Sequence, residues 1–176
     1  MQIELTRQFS ISEVTSSDRH HMVENLHDGM VQRWTLLVPC PYSLEDADTW
    51  LEHLRERKAV DGQAMNWAIR NPEGRAIGGI GFHGAAAHAS HSREIGYWIT
   101  RDYWGRGIMT DAVQAVVSHA FQHFGLSRIT AAVFHGNRAS AKVLEKAGFQ
   151  VEAPRLRKCY LKNGELIDAI LYAKVV

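Results

Sequence analysis

In residues 97–113, YWITRDYWGRGIMTDAV, the spacing of apolar residues changes from that of a strand to that of a helix. The apolar run at 97–99 predicts the end of a strand, and an apolar stripe at helical spacing follows the glycines at 105 and 107. A helix N-terminus leaves backbone N–H groups without partners, and its dipole favours negative charge. The stretch therefore predicts a strand-to-helix turn that can bind an anion.

The residue types of this turn suit a phosphate. Gly105 and Gly107 allow unusual backbone dihedrals and close approach of a ligand, and Arg106 adds a permanent positive charge. An ordinary tight turn is the alternative, because such glycine pairs are common. The third glycine of a dinucleotide fingerprint is absent, since position 110 is Thr, and no Gly-Lys-Ser/Thr of a P-loop occurs.

Working outward, periodicity and turn residues predict a mixed sheet with helices packed on it. Predicted strands cover residues 3–14, 64–70, 75–84, 93–100, 127–134, 158–161 and 166–175. Predicted helices cover residues 15–26, 44–57, 107–124 and 137–147. Residues 94–134 form a strand, a helix and a strand, so these two strands should run parallel.

Composition and charge argue against several classes of function. The 176 residues carry 22% charged side chains and a net charge of +1, with no clustered basic face for nucleic acid. The first residues lack the apolar core of a signal peptide, and no apolar run approaches the length of a membrane span. Cys40 and Cys159 form no metal or redox pattern, which predicts reduced thiols in the cytoplasm.

The histidines predict no metal site. His119 and His123 stand at helical spacing in HAFQH, but the Glu of a zinc-protease motif is absent. Both lie off the apolar stripe, where solvent exposure is the simpler interpretation. The histidines near the loop at 84–91 could contact a substrate, although their spacing does not require it.

EIGYWITRDYWGRGIMTDAV, followed by a strand and then by HGNRASAKVLEKAGF, resembles the GNAT superfamily of acyl-CoA N-acetyltransferases. The RimJ/RimL-like branch, named for enzymes that acetylate ribosomal-protein N-termini, is the most similar. The resemblance implies an α+β fold over residues 1–176 as a single domain. Its sheet is mixed and mostly antiparallel, is flanked by helices and contains a splayed parallel strand pair. The implied co-substrate is acetyl-CoA.

The family's phosphate motif, Gln/Arg-x-x-Gly-x-Gly/Ala, aligns with residues 104–109. Trp104 and Met109 depart from it, as in this branch. The resemblance implies that amides of residues 106–110 and the Thr110 hydroxyl hold the pyrophosphate, and that pantetheine pairs with residues 97–99. The implied cofactor-binding residues are Tyr97, Trp98, Ile99, Trp104, Gly105, Arg106, Gly107, Ile108, Met109, Thr110, Asn137 and Ser140.

The implied reaction is attack of a primary amine on the thioester, which requires a proton acceptor. Glu94 is the candidate base, because alternation places it on the same face of its strand as Gly96 and Trp98. A structural carboxylate, paired with Arg93 or with a neighbouring strand, is the alternative. An oxyanion donor is expected from the backbone near Trp98 or Ile99.

Asn137 and Ser140 open the last predicted helix. Asn137 is a typical N-cap, and the resemblance adds a contact with pantetheine. Ser140 would face the sulfur and is the second candidate catalytic residue. Many family members carry a Tyr acid further along this helix, where this sequence has Leu144, so the donor to the thiolate is Ser140 or a water.

The acceptor is left open between a protein N-terminus and a small amine. Loops at residues 29–42 and 84–91 are expected to form its pocket. A non-catalytic acyl-CoA-binding sensor is the alternative from another class. The expected partners are acetyl-CoA and an amine acceptor, with no nucleic acid or membrane, in a monomer or a homodimer.

Overall fold

The computed structural model describes residues 1–84 and 89–176. These residues divide into two compact units, Met1–Gly81 with Tyr97–Ala112, and Phe82–Gly96 with Val113–Val176. The unit boundaries follow residues 81, 96 and 112. The predicted acceptor loop at 84–91 lies partly outside the described residues, because these omit positions 85–88.

Strands and helices alternate along the chain. The described strands are β1 (Gln2–Glu4), β2 (Ser10–Glu13), β3 (Asn66–Arg70), β4 (Ala76–His83), β5 (Ser92–Ile99), β6 (Arg128–Phe134), β7 (Gln150–Lys162) and β8 (Glu165–Val175). The described α-helices are α1 (Arg19–Leu26), α2 (Leu44–Asp61), α3 (Ile108–His123) and α4 (Arg138–Lys146).

The strands form a mixed sheet in the order β1-β2-β3-β4-β5-β6-β8-β7. β1, β2, β3 and β4 pair antiparallel in sequence, as do β6, β8 and β7. β5 and β6 pair parallel, and their ladder covers only residues 92–94 with 128–130, ending at Glu94 and Thr130. The predicted mixed sheet with a parallel pair is confirmed.

Two predicted strands differ from the structure. Residues 3–14 are not one strand, because a 3₁₀ turn at Thr6–Gln8 separates β1 from β2. Arg7 and Gln8 have φ of 58° and 65°, which no strand residue adopts. β7 begins at Gln150 instead of residue 158, and three register irregularities along it disrupt the alternation that sequence analysis relies on.

The two longest helices begin as their sequences indicate, but α2 continues to Asp61, beyond the predicted end at residue 57. Ser43 caps α2, accepting from the Asp46 amide while the Asp46 carboxylate accepts from the Ser43 amide. In α3 the predicted apolar stripe is buried, with Val113 and Val116 at 0% exposure, and Gly125 follows the helix with φ of 65°.

A buried ion pair joins β3 to the start of α1 in the first unit. The Arg70 guanidinium donates to both carboxylate oxygens of Asp18 at 2.7 and 2.9 Å, to Ser12 Oγ at 2.6 Å and to the Glu13 carbonyl at 3.1 Å. Asp18 also accepts from the Thr15 amide at 2.9 Å and is 2% exposed. These bonds fix the connection between β2 and α1.

The hydrogen bonds outweigh the burial of this carboxylate. Burial alone would raise the pKa of Asp18, but the bonds from Arg70 and Thr15 hold it below the ordinary value of 3.8. The unfolded chain therefore binds a proton more readily at this position. The contribution of Asp18 to stability is present above its unfolded pKa and is lost as pH falls through the folded one.

We expect Asp18→Asn to lower the free energy of unfolding at pH 7 by about 3–5 kcal/mol, because it leaves the Arg70 charge buried without a counter-charge. Denaturant titration of both proteins gives this difference, which should shrink as pH is lowered below about 4. Arg55→Gln is the control, since the Arg55–Glu52 pair is 68% and 59% exposed. An equal loss in both variants would contradict the assignment.

Candidate active site

The turn before α3 presents unpaired backbone amides. Gly105 and Gly107 have φ of 73° and 83°, which is the left-handed region that glycine favours. The Asp111 amide donates to the Gly107 carbonyl at 3.1 Å, so the amides of residues 108–110 precede the first amide that donates within the helix. Together with the helix dipole, these amides can bind an anion in the first unit.

The side chains of this turn divide into two groups. Ile108 and Met109 are 4% and 7% exposed, so their side chains belong to the core and only their amides are available to a ligand. Arg106 and Trp104 are exposed, and Thr110 is half-buried. The hydrophobic pair therefore anchors the helix start, while the polar atoms around it can contact a bound group.

Trp104 has a role that its sequence position did not indicate. Its indole Nε1 donates to the Ile99 carbonyl at 2.7 Å, which ties the turn back to the end of β5. The side chain that replaces the motif's Gln/Arg thus holds the backbone of the turn. The sequence offers one signal for this bond: Trp104, whose indole can only donate, stands five residues after the strand end at Ile99.

Two guanidinium groups lie at this turn. Arg106 stacks over the Tyr103 ring with its Cζ 5.3 Å from the ring centroid. Arg7 Nη1 donates to the Arg106 carbonyl at 3.5 Å. Sequence analysis missed Arg7, because 99 residues separate it from Arg106 and no local pattern marks it. Both charges favour an anionic ligand at the turn.

Glycines of β4 leave room for Trp98. A Cβ on Gly79 would lie 2.7 Å from the indole Nε1 of Trp98, and one on Gly78 would lie 2.5 Å from the Trp98 carbonyl oxygen. The indole packs against the cluster of Met22, Leu26, Val31, Tyr42 and Ala47. Of the three predicted β5 contacts, Ile99 is buried, while Tyr97 and Trp98 are half-buried.

Glu94 lies in an open cleft of the second unit. The described residues lining this cleft of about 400 Å³ are His83, Gly84, Ala89, Ser92, Arg93, Glu94 and Thr130. More than a third of the Glu94 residue surface is exposed, but its carboxyl is partly dehydrated where it meets β6. This burial raises the pKa of Glu94, against the opposing bond from the Ala132 amide, and so makes it a better proton acceptor.

The structural alternatives for Glu94 were a pair with Arg93 or a contact with a neighbouring strand, and the bond from the Ala132 amide of β6 is a contact of the second kind. Arg93 instead uses its Nη1 for the carbonyls of Ser90 and Ser92, at 2.9 and 3.0 Å. Among the ion pairs of the described residues, none involves Glu94. The carboxylate is thus held by one backbone amide at the rim of a cleft.

Tyr160 is a further side chain near Glu94 that sequence analysis missed. It lies on β7, with its ring centroid 5.6 Å from that of Phe134. Burial raises the pKa of Tyr160 to about 12, and the nearby charge of Glu94 and the Cys159 side chain add to this. The phenol therefore stays protonated over the usual working range and remains a hydrogen-bond donor. The irregular register of β7 hid this position from a period-two pattern.

Asn137 and Ser140 lie together at the start of α4. The Asn137 Oδ1 accepts from the Ser140 amide at 3.1 Å, which confirms the N-cap prediction. This bond leaves the Asn137 amide NH₂ for other contacts. Ser140 is half-buried, and Leu144, one turn further on, is 0% exposed. Position 144 is thus part of the core.

The described residues include no group of three or more His, Cys, Asp and Glu side chains that could hold a metal ion. His119 and His123 stack with ring centroids 4.4 Å apart, and His119 also contacts the Phe124 ring. His119 is half-buried, not fully exposed as the helical pattern suggested. No described helix has the length and apolar character that a bilayer span requires.

Comparison with known proteins identifies one family. The model of the acetyltransferase (GNAT) domain matches residues 9–150. Among curated proteins, the ribosomal-protein-serine acetyltransferase of Escherichia coli is 31% identical, and the match covers 98% of each chain.

Two further proteins show how the identity and the coverage vary among the matches. The "uncharacterized N-acetyltransferase YoaA" of Bacillus subtilis is 40% identical over 114 residues, which span 64% of this chain and 63% of that one. The chain therefore spans less than two thirds of that relative's length. Among solved structures, RimL, a ribosomal α-N-protein acetyltransferase in complex with coenzyme A, superposes with a TM-score of 0.89 at 18% identity. That match covers 100% of this chain and 98% of RimL, and it shows a shared fold.

Proposed function

The chain belongs to the GNAT family of acetyltransferases, and from this premise we propose that it transfers the acetyl group of acetyl-CoA to a primary amine. The observation that carries the proposal is the Gly105–Gly107 turn, with its unpaired amides and positive charges. The ribosomal-protein relatives support a protein N-terminus as the acceptor class. The cytoplasm as its compartment stays a prediction.

Acetyl-CoA would bind through its pyrophosphate at the turn before α3. The amides of residues 106–110 donate to the phosphate oxygens, Thr110 adds its hydroxyl, and Arg106 and Arg7 supply positive charge. The pantetheine arm would pair with the backbone of residues 97–99 on β5. Because Ile99 already gives its carbonyl to Trp104, that carbonyl has a donor before any ligand binds.

Glu94 is proposed as the residue that accepts the proton of the attacking amine, directly or through a water. An amine of ordinary pKa, roughly 8 for a chain terminus and 10.4 for a lysine, is mostly protonated at neutral pH and must lose its proton to react. The partly dehydrated carboxylate attracts the ammonium group into the cleft and is a stronger base than an exposed one.

Ser140 is proposed to hydrogen-bond the departing sulfur. A serine hydroxyl is a poor acid, so its contribution is a bond that strengthens as negative charge develops on the thiolate. The Asn137 amide NH₂ is proposed to contact pantetheine, while its Oδ1 stays with the helix cap. Leu144 supplies no proton, because it is an aliphatic core side chain.

The function is tested by thiol release from acetyl-CoA with a panel of peptides bearing a free N-terminus and of small amines. We expect turnover with at least one amine, and Glu94→Gln should lower that turnover by about 10²–10⁴-fold at neutral pH. The loss should shrink at high pH, where the amine is already neutral. Normal turnover in Glu94→Gln would make Glu94 structural. Tight binding of acetyl-CoA without transfer to any amine would favour a non-catalytic sensor.

We expect Gly107→Val to weaken acetyl-CoA binding at least tenfold in calorimetry. An added Cβ meets no protein atom within 4 Å, but a φ of 83° is strained for valine, and its side chain would stand where phosphate approaches. Gly164→Val is the matched control, because Gly164 also has a φ of 83° with nothing within 4 Å of the added Cβ. Equal affinity in both folded variants would remove the phosphate site from this turn.

Ser140→Ala should lower kcat with little change in acetyl-CoA affinity, because the bond to sulfur strengthens only in the transition state. Steady-state kinetics with a rate-limiting chemical step, alongside calorimetry, separates these two effects. The Ser140 amide bond to Asn137 is unaffected by this change, so the cap of α4 is kept. If kcat is unchanged, Ser140 has a structural role.

A further inference from the structure

The imidazole of His83 lies directly over Gly96. His83 is the last residue of β4, and a Cβ on Gly96 would lie 2.5 Å from its Nε2 and 3.1 Å from its Cδ2. Side-chain carbons do not tolerate such short contacts, so this ring position requires glycine at 96. The backbone of β5 therefore forms the surface on which the ring rests.

This position over Gly96 brings the His83 imidazole close to Glu94. Residues 94 and 96 are two apart on β5, so they share one face and stand about 7 Å apart along the strand. His83 and Glu94 also line the same open cleft of about 400 Å³. A carboxylate and an imidazole thus face one space within the second unit.

The other charged and titratable groups around this cleft have different partners. Of the described residues that line it, Arg93 carries the remaining charge, and its Nη1 donates to two backbone carbonyls. From β7, Tyr160 lies near Glu94, and burial raises the pKa of its phenol to about 12, so it is neutral at working pH. Of the described residues that line the cleft, Glu94 is the one that carries a carboxylate.

We propose that His83 is a second proton-accepting residue of the acceptor site and that it works as a pair with Glu94. The inference rests on the acetyl transfer proposed above. An imidazole ordinarily titrates at about 6.5, closer to neutral pH than a carboxylate does. A general base is most effective when its pKa lies near the operating pH.

In the proposed step, the amine lone pair forms the C–N bond with the acetyl carbon, and the C–S bond breaks with its electrons left on sulfur. The proton lost from nitrogen passes to Glu94 and on to the His83 imidazole. Because His83 is exposed, it returns this proton to solvent. The carboxylate orients the amine, and the imidazole holds the proton before it passes to solvent.

Kinetics with the best acceptor of the panel test the pair. We expect His83→Gln to lower kcat/KM for the acceptor by about tenfold or more and to leave the KM for acetyl-CoA unchanged. The double variant with Glu94→Gln should be no worse than Glu94→Gln alone, because residues that act as a unit are not additive. The exposed His123 supplies the control, and His123→Gln should match wild type. Multiplying losses, or wild-type kinetics in His83→Gln, would overturn the pairing.

NMR titration of the His83 ring gives a readout that does not depend on turnover. The His83 signal is identified by its absence in His83→Gln, and Glu94→Gln should shift its titration midpoint to lower pH, because a negative neighbour favours the imidazolium. An unshifted midpoint overturns the pairing even if the enzyme is active. If the midpoint shifts but no amine in the panel is acetylated, the pairing is supported and the proposed function fails.

Discussion

In each unit, a close contact between β4 and β5 requires glycine, because a Cβ atom at that position would be too close to the opposite strand. In the first unit, Gly78 and Gly79 let β4 lie against the carbonyl and indole of Trp98, at distances that any side chain would block. In the second unit, Gly96 lets the His83 ring rest on β5. The strand that should carry the thioester is thus packed through its backbone. The Trp98 indole of β5 occupies space that Gly79 leaves open, and the His83 ring of β4 occupies space that Gly96 leaves open.

Much of the fold followed from local patterns because each pattern has a local physical cause. The stripe of α3 and the box of Ser43 and Asp46 at α2 depend on residues within a few positions of one another. The parallel pair followed from a single strand–helix–strand unit. The division at Thr6–Gln8 could not be predicted, because Arg7 and Gln8 adopt positive φ without being glycine or asparagine.

The candidate site was predicted less completely, because it depends on contacts between distant segments. The turn at residues 105–107 was visible as a motif, and its two glycines adopt positive φ. Arg7 joins it only through folding, His83 gains its position from the glycine at 96, and Tyr160 lies on an irregular strand. The roles of Glu94 and Ser140 remain predictions.

The irregular edge strand β7 has a consequence for how the chain behaves among its own copies. A strand at the border of a sheet offers unpaired amides and carbonyls to any extended segment that can lie flat against it. β7 interrupts that surface at three places along its length, holds Lys158 at a φ of 50°, and carries Arg155 and Arg157. An incoming strand would meet a bent, positively charged border with only short stretches of regular spacing. The β7 edge thereby disfavours the repeated addition of strands that leads to fibrils.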